Sequence, residues 1–193
     1  MIHTSKLEIQ ELVKAWLAIS IAFTILLGYG ALGEDLPLGH VFILSLLTVG
    51  LGFLLHELAH KFTAQYYNCH AEFRADNGML ALAIGMSFFG FVFAAPGAVM
   101  IQGFITYREN GIISVAGPIT NILLAILFIP IILIGGIAGI IGFYGFLINS
   151  WLGLFNMIPV WNLDGAKVLK WNKTIYISVT AILLIMTLST FLI

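Results

Sequence analysis

The stretch that decides the fold is GHVFILSLLTVGLGFLLHELAHKF, residues 39–62. Its first part is almost entirely apolar, and the run leads directly into two histidines and a glutamate, His56, Glu57 and His60. A run of about 20 apolar residues is long enough to span the hydrocarbon core of a bilayer. Because ionisable side chains are costly inside such a helix and generally serve a function there, the stretch predicts a membrane helix that carries a functional site.

The composition of the whole chain agrees with a membrane protein. Of its 193 residues, 61% are hydrophobic and only 9% are charged, which is far from the composition of a soluble domain. The formal net charge is -1 and no basic stripe is present, so no nucleic-acid partner is expected. The single cysteine, Cys69, excludes an internal disulfide and a zinc cluster built on cysteines.

Apolar segments long enough to cross a bilayer occur along the whole chain. There are five of them, at residues 12–32, 40–67, 111–134, 139–158 and 174–193. We therefore predict a membrane α-helical bundle of about five transmembrane helices that forms a single domain over residues 1–193.

Residues 79–102, between the second and third spans, show a different pattern. Large side chains alternate with alanine, glycine and serine in LALAIGMSF, residues 80–88, and the alternation then shifts by one position. Period two is typical of strands, and a shift of phase is typical of a bulge or turn. The pattern predicts a re-entrant, membrane-embedded β-hairpin or small sheet sheltered by helices. The alternative is one more transmembrane helix.

The basic residues indicate the topology independently. If residues 79–102 do not cross the membrane, the N-terminus and the 61–108 and 159–173 connections lie on one side. All eight basic residues then share that side: Lys6, Lys14, Lys61, Arg74, Arg108, Lys167, Lys170 and Lys173. The opposite 33–39 connection carries Glu34 and Asp35. This distribution predicts a multi-pass protein of the cell membrane with a cytoplasmic N-terminus.

The motif H-E-x-x-H at residues 56–60 is a metal-binding pattern. Residues four apart lie on one face of a helix, so the imidazoles of His56 and His60 can reach one ion. Glu57 is placed to hold and deprotonate a water molecule on that ion. Catalytic zinc sites use three protein ligands and leave a fourth position open, so a third ligand is required.

Asp164 is the best candidate for the third ligand. It follows the fourth span in FNMIPVWNLDG, residues 155–165, where Pro159 must end or break the helix. The chain can therefore fold Asp164 back towards the second span. The alternative is an ordinary carboxylate at a helix end.

Three motifs in order resemble the site-2 protease family of intramembrane zinc metalloproteases. They are HELAH at residues 56–60, AGPITN at 116–121 and FNMIPVWNLDG at 155–165. The resemblance covers about residues 40–170, the expected catalytic core. It implies that His56, His60 and Asp164 bind one Zn²⁺ per chain and that Glu57 activates water.

The resemblance also implies that Asn121 assists substrate or transition-state binding. The residue pattern agrees, because Asn121 and Gly117 lie on one helical face and a side-chain amide can donate to a developing oxyanion. The alternative is a hydrogen bond between helices. Asn149 and Asn156 also share a face, and we interpret them as supports within the bundle.

The expected function is hydrolysis of a peptide bond within or near a transmembrane segment of a membrane protein substrate, in regulated intramembrane proteolysis. Zinc-activated water is the expected nucleophile, with Glu57 as its general base, on the cytoplasmic side. An edge of the predicted sheet would pair with the unwound substrate strand. The expected partners are this substrate and the lipid bilayer. The alternative is a membrane metal transporter or metal-binding scaffold without hydrolysis, which has no need of Glu57.

Overall fold

The structure is a computed structural model and describes residues 3–30, 32, 36–92 and 96–192. In these residues the chain forms helices joined by short connections, with two strands. The helices are α1 (Lys6–Gly28), α2 (Leu38–Ser45), α3 (Leu51–Tyr66), α4 (Asn77–Ser87), α5 (Tyr107–Ile132), α6 (Gly136–Asn156), α7 (Asp164–Trp171) and α8 (Lys173–Ser189). The strands are β1 (His70–Ala75) and β2 (Gly97–Gln102).

Among the described residues, four helical segments are long and apolar enough to cross a membrane, and they overlap the first four predicted spans. They are Lys6–Gly28, Leu38–Tyr66, Tyr107–Ile132 and Gly136–Asn156. The second joins α2 to α3 through a π-helical turn, Leu46–Gly50. The fifth predicted span is a helix of 17 residues, Lys173–Ser189, which is at the lower limit of a spanning length. The chain is therefore a membrane protein, and its fifth crossing stays a prediction.

The predicted hairpin is wrong over the alternating residues, because Asn77–Ser87 form helix α4. The Asp76 side chain caps this helix by accepting a hydrogen bond from the Met79 N–H at 3.0 Å. Leucine, alanine and methionine are strong helix formers, and their propensity outweighs an alternation that is ambiguous in an apolar run. The alternative of another spanning helix is wrong as well, because α4 has only 11 residues.

A small sheet does exist, but only its second strand, β2, lies within residues 79–102. Its partner β1 precedes the predicted segment. At one end of the sheet the Asp76 N–H donates to the Pro96 carbonyl at 3.0 Å. At the other end Gly103 packs against Cys69, so the strands are antiparallel. Residues 93–95, at the end of the predicted alternation, and Glu34 and Asp35 of the predicted outer connection lie outside the described residues.

The chain divides into two compact units, of which one comprises His3–Leu54 and Glu72–Met100. In this unit α1 packs against α2, the π-helical turn and α4. The buried Glu8 carboxylate of α1 accepts a hydrogen bond from the Phe73 N–H at 3.0 Å, and Glu11 accepts one from the Ala75 N–H at 3.2 Å. Two backbone donors of β1 are therefore satisfied by side chains of α1.

The other unit contains Leu55–Ala71 and Ile101–Ile193. Helix α5 packs along α6 and α7, and α8 packs on α6 and α7. A capping box between Thr106 and Glu109 begins α5. The core of this unit is a cluster of buried apolar side chains: Val115, Met157, Val168, Val179 and Leu183. This unit holds every predicted metal ligand, and its packing determines their geometry.

Candidate metal centre

His56, His60 and Asp164 meet at one point in this unit. His56 and His60 lie one turn apart on α3, and their Nε2 atoms are 3.0 Å apart. The Asp164 Oδ2 atom lies 3.3 Å from His56 Nε2 and 3.0 Å from His60 Nε2. All three side chains are buried. The structure thus brings together the three predicted ligands, across more than a hundred positions of sequence between α3 and Asp164.

The three ligand atoms fit a zinc ion. Tetrahedral zinc with bonds of about 2.0–2.1 Å holds its ligand atoms about 3.3 Å apart, and the three separations here are 3.0, 3.0 and 3.3 Å. Three electron-pair donors at this spacing repel one another unless a cation or a proton lies among them. Two imidazole nitrogens and one carboxylate oxygen leave a fourth position for water or substrate, as catalytic zinc sites require.

Asp164 is the first residue of α7, immediately after the cap residue Leu163. Helix α6 ends at Asn156, shortly before Pro159, and the chain turns back to begin α7. Burial acts to raise the pKa of the Asp164 carboxyl, but the neighbouring imidazoles of His60 and His56 outweigh it and hold that pKa below its usual value. The second carboxylate oxygen, Oδ1, lies 3.8 Å from Lys167 Nζ, one turn along α7. The carboxylate therefore presents Oδ2 to the histidines and Oδ1 to Lys167.

Hydrogen bonds at the Nδ1 atoms orient both imidazoles. The His60 Nδ1–H donates to the Ile113 carbonyl at 2.7 Å, and the His56 Nδ1–H donates to Asn121 Oδ1 at 2.6 Å. A histidine that donates from Nδ1 keeps a lone pair on Nε2, which is the state that binds a metal. Both Nε2 atoms face the shared point. The hydrogen bonds at Nδ1 therefore hold both histidines in the tautomer that zinc binding requires.

Gly117 on α5 closes one side of the centre. A Cβ atom at this position would lie 2.5 Å from His60 Nε2 and 2.6 Å from His56 Nε2. These distances are shorter than any normal contact, so no other residue fits without displacing the ligands. The backbone of α5 therefore packs directly against the metal-binding nitrogens.

Glu57 is partly buried on α3, next to His56. The charges of His60, His56 and Asp164 all act on its carboxylate, which places it within electrostatic reach of the centre. Within the part of the chain that the structure describes, no hydrogen bond or ion pair engages this carboxylate. The Glu57 carboxylate is thus available for proton transfer.

Asn121 contacts the centre differently from the predicted oxyanion donor. Its oxygen accepts from His56, and its Nδ2 donates to Asn149 Oδ1 on α6 at 3.1 Å. Asn149 therefore joins α6 to α5 close to the site. The amide of Asn156 donates to the Leu152 carbonyl of its own helix at 2.9 Å.

The sequence reasoning did not assign the Ile113 carbonyl, the Asn149 contact or the closeness of Gly117 to the histidines. A backbone carbonyl leaves no signal in a sequence. The spacing of Gly117 and Asn121 was a usable signal, because both lie on one face of α5. The signal for Asn149 was a polar residue in an otherwise apolar helix.

The chain is similar to proteins named as metalloproteases. "Putative zinc metalloprotease MJ0611" of Methanocaldococcus jannaschii is 47% identical over 141 residues, which cover 70% of this chain and 74% of that protein. "Putative zinc metalloprotease Rip2" of Mycolicibacterium smegmatis is 31% identical over 162 residues, which cover 69% of this chain and 60% of that protein. No protein-family model matches the chain, and no solved structure does.

The geometry and the comparisons agree on the metal. Two histidines and an aspartate supply the nitrogen and oxygen donors of a catalytic zinc site, and both relatives are named for zinc. Zinc is therefore the cofactor of this protein. Since the identity to the Methanocaldococcus jannaschii protein extends over most of both chains, this chain belongs to the zinc metalloprotease family.

Proposed function

We propose that this protein is an intramembrane endopeptidase of the site-2 protease type, which hydrolyses a peptide bond within or near a transmembrane segment of a membrane protein. One observation carries the proposal. The group of His56, His60 and Asp164, with Glu57 beside it, lies on or next to helices that are long and apolar enough to cross a membrane. A zinc centre in such helices has access to substrates that live in the bilayer.

Glu57 is the residue that moves the proton. A bound zinc ion supplies a Lewis acid, which lowers the pKa of water and polarises a carbonyl. Glu57 takes a proton from the attacking water as the new carbon–oxygen bond forms. It then passes this proton to the amide nitrogen of the substrate as the carbon–nitrogen bond breaks. The products are one carboxylate and one amine, so all atoms are accounted for.

The setting of the reaction follows from the distribution of charge. All eight lysines and arginines lie within residues 6–14, 61–108 and 167–173, and the positive-inside rule assigns these segments to the cytoplasm. The centre then lies on the cytoplasmic side of the cell membrane. Its partners are a transmembrane substrate and the surrounding lipid, and its role is regulated intramembrane proteolysis.

The test is cleavage of a transmembrane reporter in proteoliposomes by the wild type and by Glu57→Gln, which keeps the size of the side chain. Removing a general base costs typically 10²–10⁴-fold in rate, so we expect cleavage to fall by about that factor. Zinc content, measured by elemental analysis, is expected to stay at one ion per chain. His60→Ala is expected to lose both, whereas His40→Ala, at an exposed histidine, serves as the matched control.

Equal cleavage by wild type and Glu57→Gln would overturn the proposed mechanism. Absence of cleavage in the zinc-loaded wild type, with transport of zinc across the same vesicles, would instead favour the transporter, which uses the same three ligands without a base.

A further inference from the structure

A line of three buried hydrogen bonds runs from the backbone of α6 to the zinc ligand His56. Asn149 Nδ2 donates to the Gly145 carbonyl at 2.9 Å. Asn121 Nδ2 donates to Asn149 Oδ1 at 3.1 Å, and the His56 Nδ1–H donates to Asn121 Oδ1 at 2.6 Å. Both asparagines have no exposed surface. Water is therefore a poor substitute for any partner in this line.

The direction of the line is determined at the Gly145 end. A backbone carbonyl only accepts hydrogen bonds, so the Asn149 amide must present its NH₂ group to it. Asn149 then presents its oxygen to Asn121, and Asn121 can approach this oxygen only with its own NH₂ group. The oxygen of Asn121 is left to face His56, which must carry its proton on Nδ1. The remaining nitrogen, Nε2, keeps the lone pair that a metal requires.

His60 is held in the same tautomer, with its proton on Nδ1, by a single hydrogen bond. Its Nδ1–H donates directly to the Ile113 carbonyl at 2.7 Å, which is again a pure acceptor. The two histidine ligands are thus oriented by two backbone carbonyls, one in direct contact and one through two side-chain amides. The indirect route runs through both asparagines, because the oxygen of Asn149 receives the NH₂ group of Asn121 and the oxygen of Asn121 then faces His56.

We propose that Asn149 is a positioning residue for zinc, which acts through Asn121 to hold His56 in its metal-binding tautomer and orientation. This inference rests on the zinc centre and not on the cleavage of a transmembrane substrate. A merely structural role would join α5 to α6 and affect folding alone. The positioning role affects the affinity for zinc while the fold is intact.

The test is the zinc dissociation constant of the full-length protein in detergent, measured by competition with a chromophoric chelator. Loss of a hydrogen-bonding partner of a metal-binding histidine typically costs 10–100-fold in affinity. We expect Asn149→Leu, which has similar size and no hydrogen-bonding group, to bind zinc at least about tenfold more weakly. Asn149→Asp keeps both bonds when its buried carboxyl is protonated, because the hydroxyl then donates to the Gly145 carbonyl and the other oxygen accepts from Asn121. It is expected to stay within about threefold of the wild type.

Ser150→Ala is the matched control. Ser150 is the next residue of α6, is equally buried and makes the same type of bond to the helix, from its hydroxyl to the Phe146 carbonyl at 2.7 Å. Its removal perturbs the packing of α6 without touching Asn121, so zinc affinity is expected to be unchanged. The visible spectrum of the cobalt-substituted protein gives a second readout, and we expect only Asn149→Leu to change the ligand-field bands.

Three results would overturn the proposal. The first is wild-type zinc affinity and an unchanged cobalt spectrum in Asn149→Leu. The second is an equal loss of affinity in Asn149→Asp and Asn149→Leu, which would show that the oxygen offered to Asn121 does not position His56. The third applies even if the leucine variant does not fold: ¹⁵N NMR of histidine-labelled wild-type protein, with His56 assigned by His56→Gln, would show the proton of His56 on Nε2 in the metal-free state. The expected result is a proton on Nδ1.

Discussion

Substitution of Gly117 by alanine is the sharpest test of the geometry of the centre. The added Cβ atom would lie 2.5 Å from His60 Nε2 and 2.6 Å from His56 Nε2, whereas ordinary van der Waals contacts begin at 3.4 Å. The rings must therefore retreat by about 0.8–0.9 Å, and a zinc site tolerates only about 0.2 Å in its bond lengths. The alanine acts on the two ligand atoms themselves and leaves their hydrogen-bonding partners in place.

The magnitude follows from the bonds that hold the rings. Neither imidazole can retreat without stretching its Nδ1 hydrogen bond, which is 2.7 Å in His60 and 2.6 Å in His56. Loss of one such buried bond costs about 1–3 kcal/mol, so loss of both costs about 2–6 kcal/mol. At about 1.4 kcal/mol per tenfold change, the affinity for zinc is expected to fall at least about 30-fold. Helix propensity acts in the opposite direction on folding, because alanine is better than glycine by about 1 kcal/mol in a helix interior.

Two measurements separate these effects. A chelator competition titration gives the zinc affinity, and the thermal transition of the metal-free protein gives the stability. We expect both the zinc affinity and the stability to fall, because the rings lose the same hydrogen bonds in the metal-free protein and zinc then requires them to return towards the added Cβ atom. Gly85→Ala on α4 is the control. A Cβ atom there meets nothing within 4 Å, so the substitution changes only the helix propensity. Zinc affinity within about threefold of the wild type in Gly117→Ala would refute the close approach of α5 to the ligands.

Two further substitutions test the role of Asn121 and the packing beneath the centre. Asn121→Leu is expected to lower zinc affinity about 10–100-fold, because His56 loses the acceptor for its Nδ1–H; a loss of cleavage at wild-type zinc affinity would instead support the oxyanion role. Leu183→Ala removes a fully buried side chain from the core that α8 shares with α5, α6 and α7. We expect it to lower the free energy of unfolding by about 1–3 kcal/mol, since in a membrane the cavity rather than transfer from water sets the cost. Unfolding in detergent measures this loss, and an unchanged transition would contradict the packing.

Local patterns were sufficient for the four long helices and for two of the three metal ligands. A run of apolar residues must satisfy its backbone groups internally when it lies in a bilayer, so the four long helices follow from composition and length. His56 and His60 share a helical face by spacing alone. The resemblance to a known family and the break at Pro159 then selected Asp164 from the few remaining acids.

The prediction of strands in the alternating segment, residues 79–102, was wrong over Asn77–Ser87 for a physical reason. An alternation of large and small apolar side chains indicates a strand only where one face is buried and the other is polar. All residues of this run are apolar or small, so helix propensity and the cap at Asp76 decided for α4. The sheet formed from flanking residues, which pair across more than twenty positions of sequence, and such pairing has no local signature.

The division between sequence and tertiary structure is clearest at His56. Residue types and spacing were enough to identify a membrane protein with a zinc-binding helix, because hydrophobic length and helical periodicity are properties of neighbouring residues. The approach of Gly117, the Ile113 carbonyl and the line from Gly145 through Asn149 and Asn121 depended on how α3, α5 and α6 pack. Helix packing is a sum of many weak contacts between residues distant in sequence. Only the folded chain decides which nitrogen of a histidine carries its proton.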